Sequence, residues 1–237
     1  MIVIPDLGDD LHRMWVELII LGEAAPVPWT LIGAQMVALH GWARGATRIR
    51  PSRDADILVD VRGVTAGTAK LARALLELGY TFDGATPDGV GNRFLKAGVR
   101  IDVLAPDGLG ERVDIRTVAG ARTVRVPGGT QALRGSEPTA IRTRSSEGSV
   151  PLPNLLGAIL VKRRAISVDD QPDAQRRDTA FLLSLVDDPD PLSATLSPSE
   201  RRWLRRHPYF GDPTDACYRG LPDAEDAAIV YRRLAEL

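Results

Sequence analysis

The sequence predicts an α+β fold in which a small mixed β-sheet with flanking helices is followed by a C-terminal helical region. Charged and apolar residues alternate over 54–61, with the period of two that is typical of a strand with one buried face. Apolar residues recur at helical spacing over 6–23. After residue 153, helical patterns follow one another with no further strand pattern. We therefore expect a mixed domain over 1–150 and a helical domain over 151–237.

The elements of the first half follow from local patterns. The helix over 6–23 ends at 24–28, where two prolines interrupt it. A short strand over 29–32 turns at Gly33 into a helix that reaches about Trp42. A loop is expected next over 43–53, followed by a strand over Asp54–Val61 and a helix over Thr65–Leu78. A hairpin is expected after them, with strands over Asn92–Lys96 and Val99–Leu104.

The stretch 105–150 is rich in Gly, Arg, Thr and Ser, and this composition predicts an irregular chain with short strands. The candidate strands are Thr123–Val126 and Thr139–Thr143. Pro151 and Pro153 are expected to introduce the first helix of the second half. The helices expected there are Leu155–Ile166, Asp173–Val186, Ser197–Arg206, which opens with a cap-like Ser-Pro-Ser-Glu, and Asp223–Leu237.

The composition excludes several classes of protein. Of the 237 residues, 44% are hydrophobic and 26% are charged, which is an ordinary globular mixture. The single cysteine, Cys217, rules out an intrachain disulfide framework, and with only three histidines it argues against a Cys/His zinc site. A net charge of -1 argues against a small, wholly electrostatic nucleic-acid binder.

The expected location is the cytoplasm, with no membrane partner. No segment approaches the roughly 20 apolar residues that a membrane span requires. The acidic start, MIVIPDLGDD, lacks the basic region of a signal peptide.

The strongest chemical signal begins at Gly33, where a predicted strand turns into a helix whose backbone N–H groups suit a phosphate. Asp54 and Asp56 are two residues apart on the next predicted strand, so both carboxylates point to one face. Asp102 lies among apolar residues of another predicted strand, where a lone acid is costly. Carboxylates brought together repel each other unless a cation neutralises them. The pattern therefore indicates a hard divalent cation such as Mg²⁺.

Each of these residues also fits a purely structural role. An Asp-x-Asp pair at a strand edge is more often a solvated face or a turn than a metal site. Asp102 fits a paired buried acid, and Gly33 fits a relaxed helix start. The combination, in this order along the chain, is what favours a functional site.

The order and spacing resemble the DNA polymerase β-type nucleotidyltransferase superfamily, whose pattern is a Gly-(Gly/Ser) turn, an Asp-x-(Asp/Glu) strand and a third strand with a carboxylate. More narrowly, Arg50-x-Ser52-x-Asp54-x-Asp56 is similar to a signature of the AbiEii/MenT toxin-like nucleotidyltransferases. This resemblance implies a nucleotidyltransferase core in the mixed domain and a helical domain that completes the nucleotide cleft.

The helical half carries the same resemblance. The segments LLGAILVKRRAI, over 155–166, and QRRDTAFLL, over 175–183, resemble that family's lysine-bearing and Arg-Asp helices. The corresponding residues are Lys162, Arg177 and Asp178. Only three of the 30 basic residues are lysines, so Lys162 stands against the arginine bias of the chain. The resemblance covers about residues 29–186 and leaves both termini unmatched.

The resemblance implies a role for each matched residue. Asp54, Asp56 and Asp102 would hold one or two Mg²⁺ (or Mn²⁺) ions against the phosphates of a nucleoside triphosphate, and Asp102 would help to deprotonate the acceptor. Lys162 would be a point charge on the triphosphate, and Asp178 would orient Lys162 or the signature arginine. The residues expected to contact the nucleotide are Gly33, Ala34, Arg50, Ser52 and Lys162.

Two features leave alternatives open. Ala34 stands where the family has Gly or Ser and donates no side-chain hydrogen bond, so Ser52 would take more of that task. Lys162 also fits a snorkelling lysine at a helix end, and Asp178 also fits an ordinary surface charge.

The function that the resemblance implies is transfer of a nucleoside monophosphate from an NTP to the 3′ end of tRNA, with release of pyrophosphate. The chain would then be the toxin of a toxin–antitoxin system, with a cognate antitoxin as partner. One alternative is transfer of AMP or another nucleotide to a protein or a small hydroxylated compound. Another is a non-catalytic nucleotide-binding module, for which Ala34 is the hint.

The near-zero net charge conceals an uneven distribution of charge. Residues 112–144 contain seven arginines against Asp114 and Glu137, a local net charge of +5. Such a segment would favour a polyanion as partner if it folds beside the carboxylates.

Overall fold

The structure is a computed structural model, and it describes residues 1–46 and 52–237. By its internal contacts the chain divides into two units, Met1–Val161 and Lys162–Leu237. The division falls within the helix Leu155–Ala165. The α+β class is confirmed, and the domain boundary expected at the end of the mixed half stays a prediction.

Unit 1 contains the strands of the described chain and the helices that pack on them. Its strands are β1 (Ile2–Val3), β2 (Trp29–Ile32), β3 (Asp54–Val59), β4 (Thr81–Phe82), β5 (Arg93–Lys96), β6 (Val99–Pro106), β7 (Arg125–Val126), β8 (Ser136–Arg142) and β9 (Glu147–Pro153). Its helices are α1 (Asp9–Ala24), α2 (Gly33–Trp42), α3 (Gly67–Glu77), α4 (Gly129–Arg134) and most of α5 (Leu155–Ala165).

The larger sheet has the order β2-β3-β6-β5-β4, and β7 pairs with β6 outside this path. β3 and β6 are parallel, and they are joined by a crossover that includes α3, as a parallel pair requires. The other neighbours on the path are antiparallel. β3 and β6 therefore form the centre of the sheet, and the buried Ile57, Leu58 and Val103 belong to its core.

The prediction of an irregular chain over 105–150 is wrong for its last part. β8 and β9 form an antiparallel hairpin, and β1 adds to β8 to give a second, three-stranded sheet. Pro151 and Pro153 lie within β9, and α5 begins at Leu155, directly after this strand, where the helix was expected. β9 is an edge strand, so a residue without an N–H group is tolerated there.

Helix α1 packs against the second sheet. A Cβ added at Gly22 would lie 2.3 Å from the Ser149 carbonyl oxygen of β9, so the helix backbone approaches the strand closely there. The buried Trp15 of α1 meets Trp42 of α2 edge to face, with ring centroids 5.5 Å apart. The predicted strand over 29–32 and the helix from Gly33 to Trp42 are confirmed.

Unit 2 is helical, as expected. It contains the end of α5, then α6 (Pro172–Ser184), α7 (Pro189–Thr195), α8 (Pro198–Leu204) and α9 (Ala224–Ala235), with 3₁₀ turns at Pro208–Gly211 and Ala216–Tyr218. The cap predicted for α8 is confirmed, because Ser197 and Glu200 form a reciprocal capping box.

The core of unit 2 is built around a buried arginine. The guanidinium of Arg163 lies 4.9 Å from the ring centre of Trp203 and 5.2 Å from that of Phe210. Its Nη2 donates to the Leu204 carbonyl at 3.0 Å. Burial lowers the pKa of Arg163 to about 10, so the side chain stays charged at neutral pH and its neighbours are cation–π partners.

Candidate active site

The predicted carboxylates of unit 1 lie on the two central strands. The parallel register places Asp56 of β3 directly beside Asp102 of β6, and Asp54 beside Arg100. Across the next pair, Arg93 of β5 is opposite Asp102. Facing residues in neighbouring strands point to the same side of a sheet. Arg93, Asp102 and Asp56 therefore form one row of side chains, which we call the acidic row.

Gly33, the first residue of α2, lies next to Asp56 at the end of the acidic row. A Cβ added at Gly33 would lie 2.0 Å from Oδ2 of Asp56, and the glycine has φ +73°. The backbone conformation favours glycine at this position, and a larger residue would push the Asp56 carboxylate aside. Ile32, at the N-cap of α2, provides no side-chain cap. The sequence signal at Gly33 therefore reflects a close approach of the helix start to a carboxylate.

Gln35, which the sequence reasoning missed, holds the segment before β3 against α2. Its buried side chain donates from Nε2 to the Ser52 carbonyl at 2.6 Å. The Ser52 hydroxyl in turn accepts from the backbone N–H of Asp54 at 3.3 Å. In this structure Ser52 therefore acts on the entry to β3. Arg50, expected to contact the nucleotide, lies outside the described residues.

Two arginines that the sequence reasoning also missed pair with the carboxylates. Arg93 donates to Asp102 from Nε at 3.0 Å and from Nη2 at 3.3 Å, which is a two-point contact. Asp102, Asp83 and Asp56 together raise the pKa of Arg93 above its ordinary value, the hydrogen bond to Asp102 contributing most. Arg100 donates from Nη2 to Asp54. A period of two places Arg100 on the same face as Asp102, and that was the available signal.

The donor set fits a hard divalent cation only in part. Carboxylate oxygens are the ligands such a cation prefers, and Asp56 and Asp102 are neighbours in register. Yet within residues 1–46 and 52–237, no three His, Cys, Asp or Glu side chains come close enough together to hold a metal ion. A cation bound here would need further oxygens from a phosphate or water.

Lys162 and Asp178 form an ion pair within unit 2. Nζ of Lys162 lies 2.9 Å from Oδ2 of Asp178, and both side chains are nearly buried. The lysine also donates to Oε1 of Gln175 at 3.1 Å. Gln175 is itself held by Asp169, to which its Nε2 donates at 2.6 Å. Lys162 is therefore a fixed, buried cation rather than a snorkelling one, and Asp178 is its partner rather than a surface charge.

The arginine-rich segment is anchored to the half of β6 beyond Asp102. Thr123 donates to the Val103 carbonyl, and Arg125 pairs with Ala105 in the sheet. All seven arginines of 112–144 are exposed. Residues 123–126 of the segment thus lie along the end of β6 beyond Asp102, whereas Arg142 belongs to β8 of the second sheet.

No helix within the described part of the chain is both long enough and apolar enough to span a membrane.

Comparison with known proteins finds similarity in structure alone. No protein-family model matches the chain, and no curated protein does. An antigenic nucleotidyltransferase-like protein from Paracoccidioides brasiliensis superposes with a TM-score of 0.53 over 94% of each chain, at 15% identity. The antibiotic-resistance factor ANT(2'')-Ia gives a TM-score of 0.42 at 12% identity, over 73% of this chain and 82% of its own. At such identities the first likeness shows the fold, so the chain has a nucleotidyltransferase-like fold.

Proposed function

We propose that the chain is a nucleotidyltransferase, which transfers a nucleoside monophosphate from a nucleoside triphosphate to an acceptor hydroxyl and releases pyrophosphate. The observation that carries this proposal is the acidic row, with Asp56 and Asp102 side by side on parallel strands and the first residue of α2 against Asp56. A helix N-terminus favours phosphate, and neighbouring carboxylates favour a cation. A group that favours phosphate and a pair of carboxylates that favours a cation therefore lie next to each other, as binding of a triphosphate with its cation requires.

The residues of this chain have distinct tasks in the proposal. The backbone N–H groups at Gly33 and Ala34 bind phosphate oxygens, because neither side chain can donate. Asp102 accepts the proton of the acceptor hydroxyl. The hydroxyl oxygen then bonds to the α-phosphorus of the nucleoside triphosphate, and the bond between the α-phosphorus and pyrophosphate breaks. A divalent cation such as Mg²⁺ or Mn²⁺, held by Asp56 and Asp102 together with oxygens of the phosphates or of water, would neutralise charge on the attacking and leaving oxygens. Asp54, which was expected as a third ligand, pairs with Arg100 instead.

Other residues are assigned by the resemblance. Lys162 is proposed as a point charge for the triphosphate and Asp178 as the residue that orients it, which their ion pair within unit 2 supports. Arg50 and Ser52 are proposed as further nucleotide contacts. To do so, the hydroxyl of Ser52 would turn its O–H from the Asp54 carbonyl to a phosphate oxygen, and it could still accept from the Asp54 N–H.

We propose the 3′ end of tRNA as the acceptor, and a toxin role with an antitoxin partner. The similarity of the 50–56 signature to the AbiEii/MenT toxin-like family supports this choice. So does the exposed positive charge of 112–144, where Arg112, Arg122 and Arg134 form no ion pair with any described residue. Exposed cations of this kind attract a polyanion.

The test is transfer of label from each radiolabelled NTP in the presence of Mg²⁺ and total tRNA, with a protein extract and a set of hydroxylated antibiotics as parallel acceptors. The matched variants are Asp56→Asn, Asp102→Asn and Asp60→Asn. Asp60 follows β3 at its far end and uses its Oδ1 to accept from the N–H groups of Arg62 and Gly63, a task that asparagine can keep. We expect the first two variants to lose about 100-fold or more in rate, and Asp60→Asn to stay active.

The outcomes separate the parts of the proposal. Label in tRNA that disappears with Asp56→Asn supports the transferase and the tRNA acceptor. Label in a protein or an antibiotic overturns the tRNA acceptor and leaves the transferase in place. No label with any acceptor overturns the transferase. Calorimetric titration with a non-hydrolysable NTP then shows whether a non-catalytic nucleotide-binding module remains.

A further inference from the structure

The two arginines of the site are placed by the sheet itself. Arg93 lies opposite Asp102 across β5 and β6, and Arg100 lies opposite Asp54 across β6 and β3. Each guanidinium therefore meets a carboxylate that the backbone register puts within its reach. These are the contacts that compensate negative charge around the acidic row.

This arrangement opposes a cation that arrives alone. A dication binding Asp102 would either lie beside the guanidinium of Arg93, which is charged at neutral pH, or displace it from its two-point contact. At Asp54 the same holds for Arg100. Like charges at such distances repel, and a charge-assisted pair that is opened loses its hydrogen bonds.

A nucleoside triphosphate removes this obstacle, because it brings its own negative charge. A guanidinium fits a phosphate as well as it fits a carboxylate, so each arginine can exchange one for the other. Both side chains are within reach of solvent, at 42% exposure for Arg93 and 35% for Arg100. Oδ2 of Asp83 lies 4.0 Å from Nη1 of Arg93 and offers this arginine a second carboxylate.

A further observation points to a ligand at Arg100. Its Nε is buried and has no hydrogen-bond acceptor among the described residues, so pairing with Asp54 does not use all the donors of the guanidinium. A buried donor without an acceptor is costly, and an oxyanion close to Asp54 would satisfy it.

We propose that Arg93 and Arg100 are positioning residues. They pair with Asp102 and Asp54 before the nucleotide binds, and they exchange these carboxylates for the triphosphate when it binds. The divalent cation therefore binds together with the nucleotide and only weakly before it. This inference rests on the proposed function, because it assumes a nucleoside triphosphate as the ligand. Binding of the cation would then depend on binding of the substrate.

The experiment measures Mn²⁺ affinity of the full chain by electron paramagnetic resonance of the free ion, with and without a non-hydrolysable NTP. A protein-free titration gives the Mn²⁺ that the nucleotide itself binds, and this amount is subtracted. We expect wild-type affinity to rise about tenfold or more with nucleotide, the size of a typical coupling between two ligands. Arg93→Gln and Arg100→Gln should raise the nucleotide-free affinity by a similar factor. Arg93→Lys and Arg100→Lys, which keep the charge, should stay near wild type.

The matched control is Arg73→Gln, which removes an exposed arginine from α3 and should change neither affinity. If a glutamine variant fails to fold by circular dichroism, the wild-type comparison and the lysine variants decide. Equal Mn²⁺ affinity with and without nucleotide, in a wild-type chain that binds the nucleotide by calorimetric titration, overturns the inference while leaving the transferase in place. So does a glutamine variant that folds and binds Mn²⁺ no more tightly without nucleotide. A wild-type chain that binds no nucleotide overturns the proposed function itself.

Discussion

The carboxylate of Asp56 fills the space next to the Cα atom of Gly33 and leaves no room there for a further carbon atom. The position of Asp56 is fixed by its strand, since β3 pairs with β2 on one side and β6 on the other. The position of Gly33 is fixed by the turn from β2 into α2. Neither backbone can yield easily, so an added methyl group would move the carboxylate instead.

We therefore expect Gly33→Ala to lower kcat/KM for nucleotide transfer by about 100-fold, the scale associated with displacing a reacting group by 1 Å. The positive φ of Gly33 adds a stability cost of about 1 kcal/mol. Steady-state transfer rates and urea unfolding measure the two effects separately.

Gly120→Ala is the control for the backbone effect. Gly120 also has a positive φ, +78°, but a Cβ there meets no atom within 4 Å. It should lose similar stability and keep its transfer rate. An equal loss of rate in both variants would show that the space beside Asp56 does not matter.

Helices α5 and α6 are joined in unit 2 by the pair of Lys162 and Asp178. A buried pair is weak evidence for stability, because burying both charges costs about as much as their attraction returns. Removing one partner is different, since the remaining charge stays buried. Within unit 2, the pair can therefore hold the end of α5 at α6 whether or not the lysine contacts a ligand.

We expect Lys162→Met to lower the free energy of unfolding by up to about 3–5 kcal/mol, because Asp178 loses its cation. Adding Asp178→Asn in the same chain should recover much of this loss, since the uncompensated charge is then gone. Urea unfolding of the single variants and the double variant measures the recovery. Transfer activity of the double variant then tests the proposed triphosphate contact: restored stability with lost activity supports it, and restored activity contradicts it.

At the scale of the whole molecule, both units contain a histidine that the fold keeps neutral. In unit 1, burial lowers the pKa of His40 to about 4, helped by the charge of Arg44. Its Nε2–H donates to the Pro153 carbonyl at 3.0 Å, which fixes the neutral tautomer. In unit 2, burial lowers the pKa of His207 to about 4 as well, with Arg163 as the next cause. His207 is more exposed, so its effect on stability is smaller.

These shifts predict the pH dependence of stability. The unfolded chain takes up the proton of His40 near pH 6.5, whereas the folded chain resists it down to about pH 4. The contribution of neutral His40 to the free energy of unfolding is therefore fully present above pH 6.5, and it is lost as the pH falls from 6.5 to about 4. We expect a loss on the order of 2 kcal/mol from His40 between pH 7 and pH 5.

The measurement is urea unfolding at several pH values between 7 and 5, above the range where most carboxylates titrate. His40→Gln keeps a donor for the Pro153 carbonyl but does not titrate. It should flatten the pH dependence of the wild type in this window. A variant with an unchanged slope would contradict the assignment.

The sequence by itself determined the elements that carry the site. The alternation at Asp54–Val59, the turn at Gly33 and the apolar setting of Asp102 were visible because periodicity and turn chemistry are local properties. The hairpin of β8 and β9 was visible only in part, because a strand was expected over Thr139–Thr143 but none over β9. The prolines of β9, Pro151 and Pro153, resemble a loop, and the edge position of this strand in the sheet makes them acceptable.

Only the tertiary structure decided which residues meet. The pairing of Asp56 with Asp102 depends on the register of two strands separated by a crossover, and the pairing of Arg93 and Arg100 with carboxylates depends on the same register. A shift of one residue would turn these side chains to the other face. The sequence thus supplied the carboxylates, and the packing of the sheet supplied the arginines that compensate them, because charge neutralisation acts through space and not along the chain.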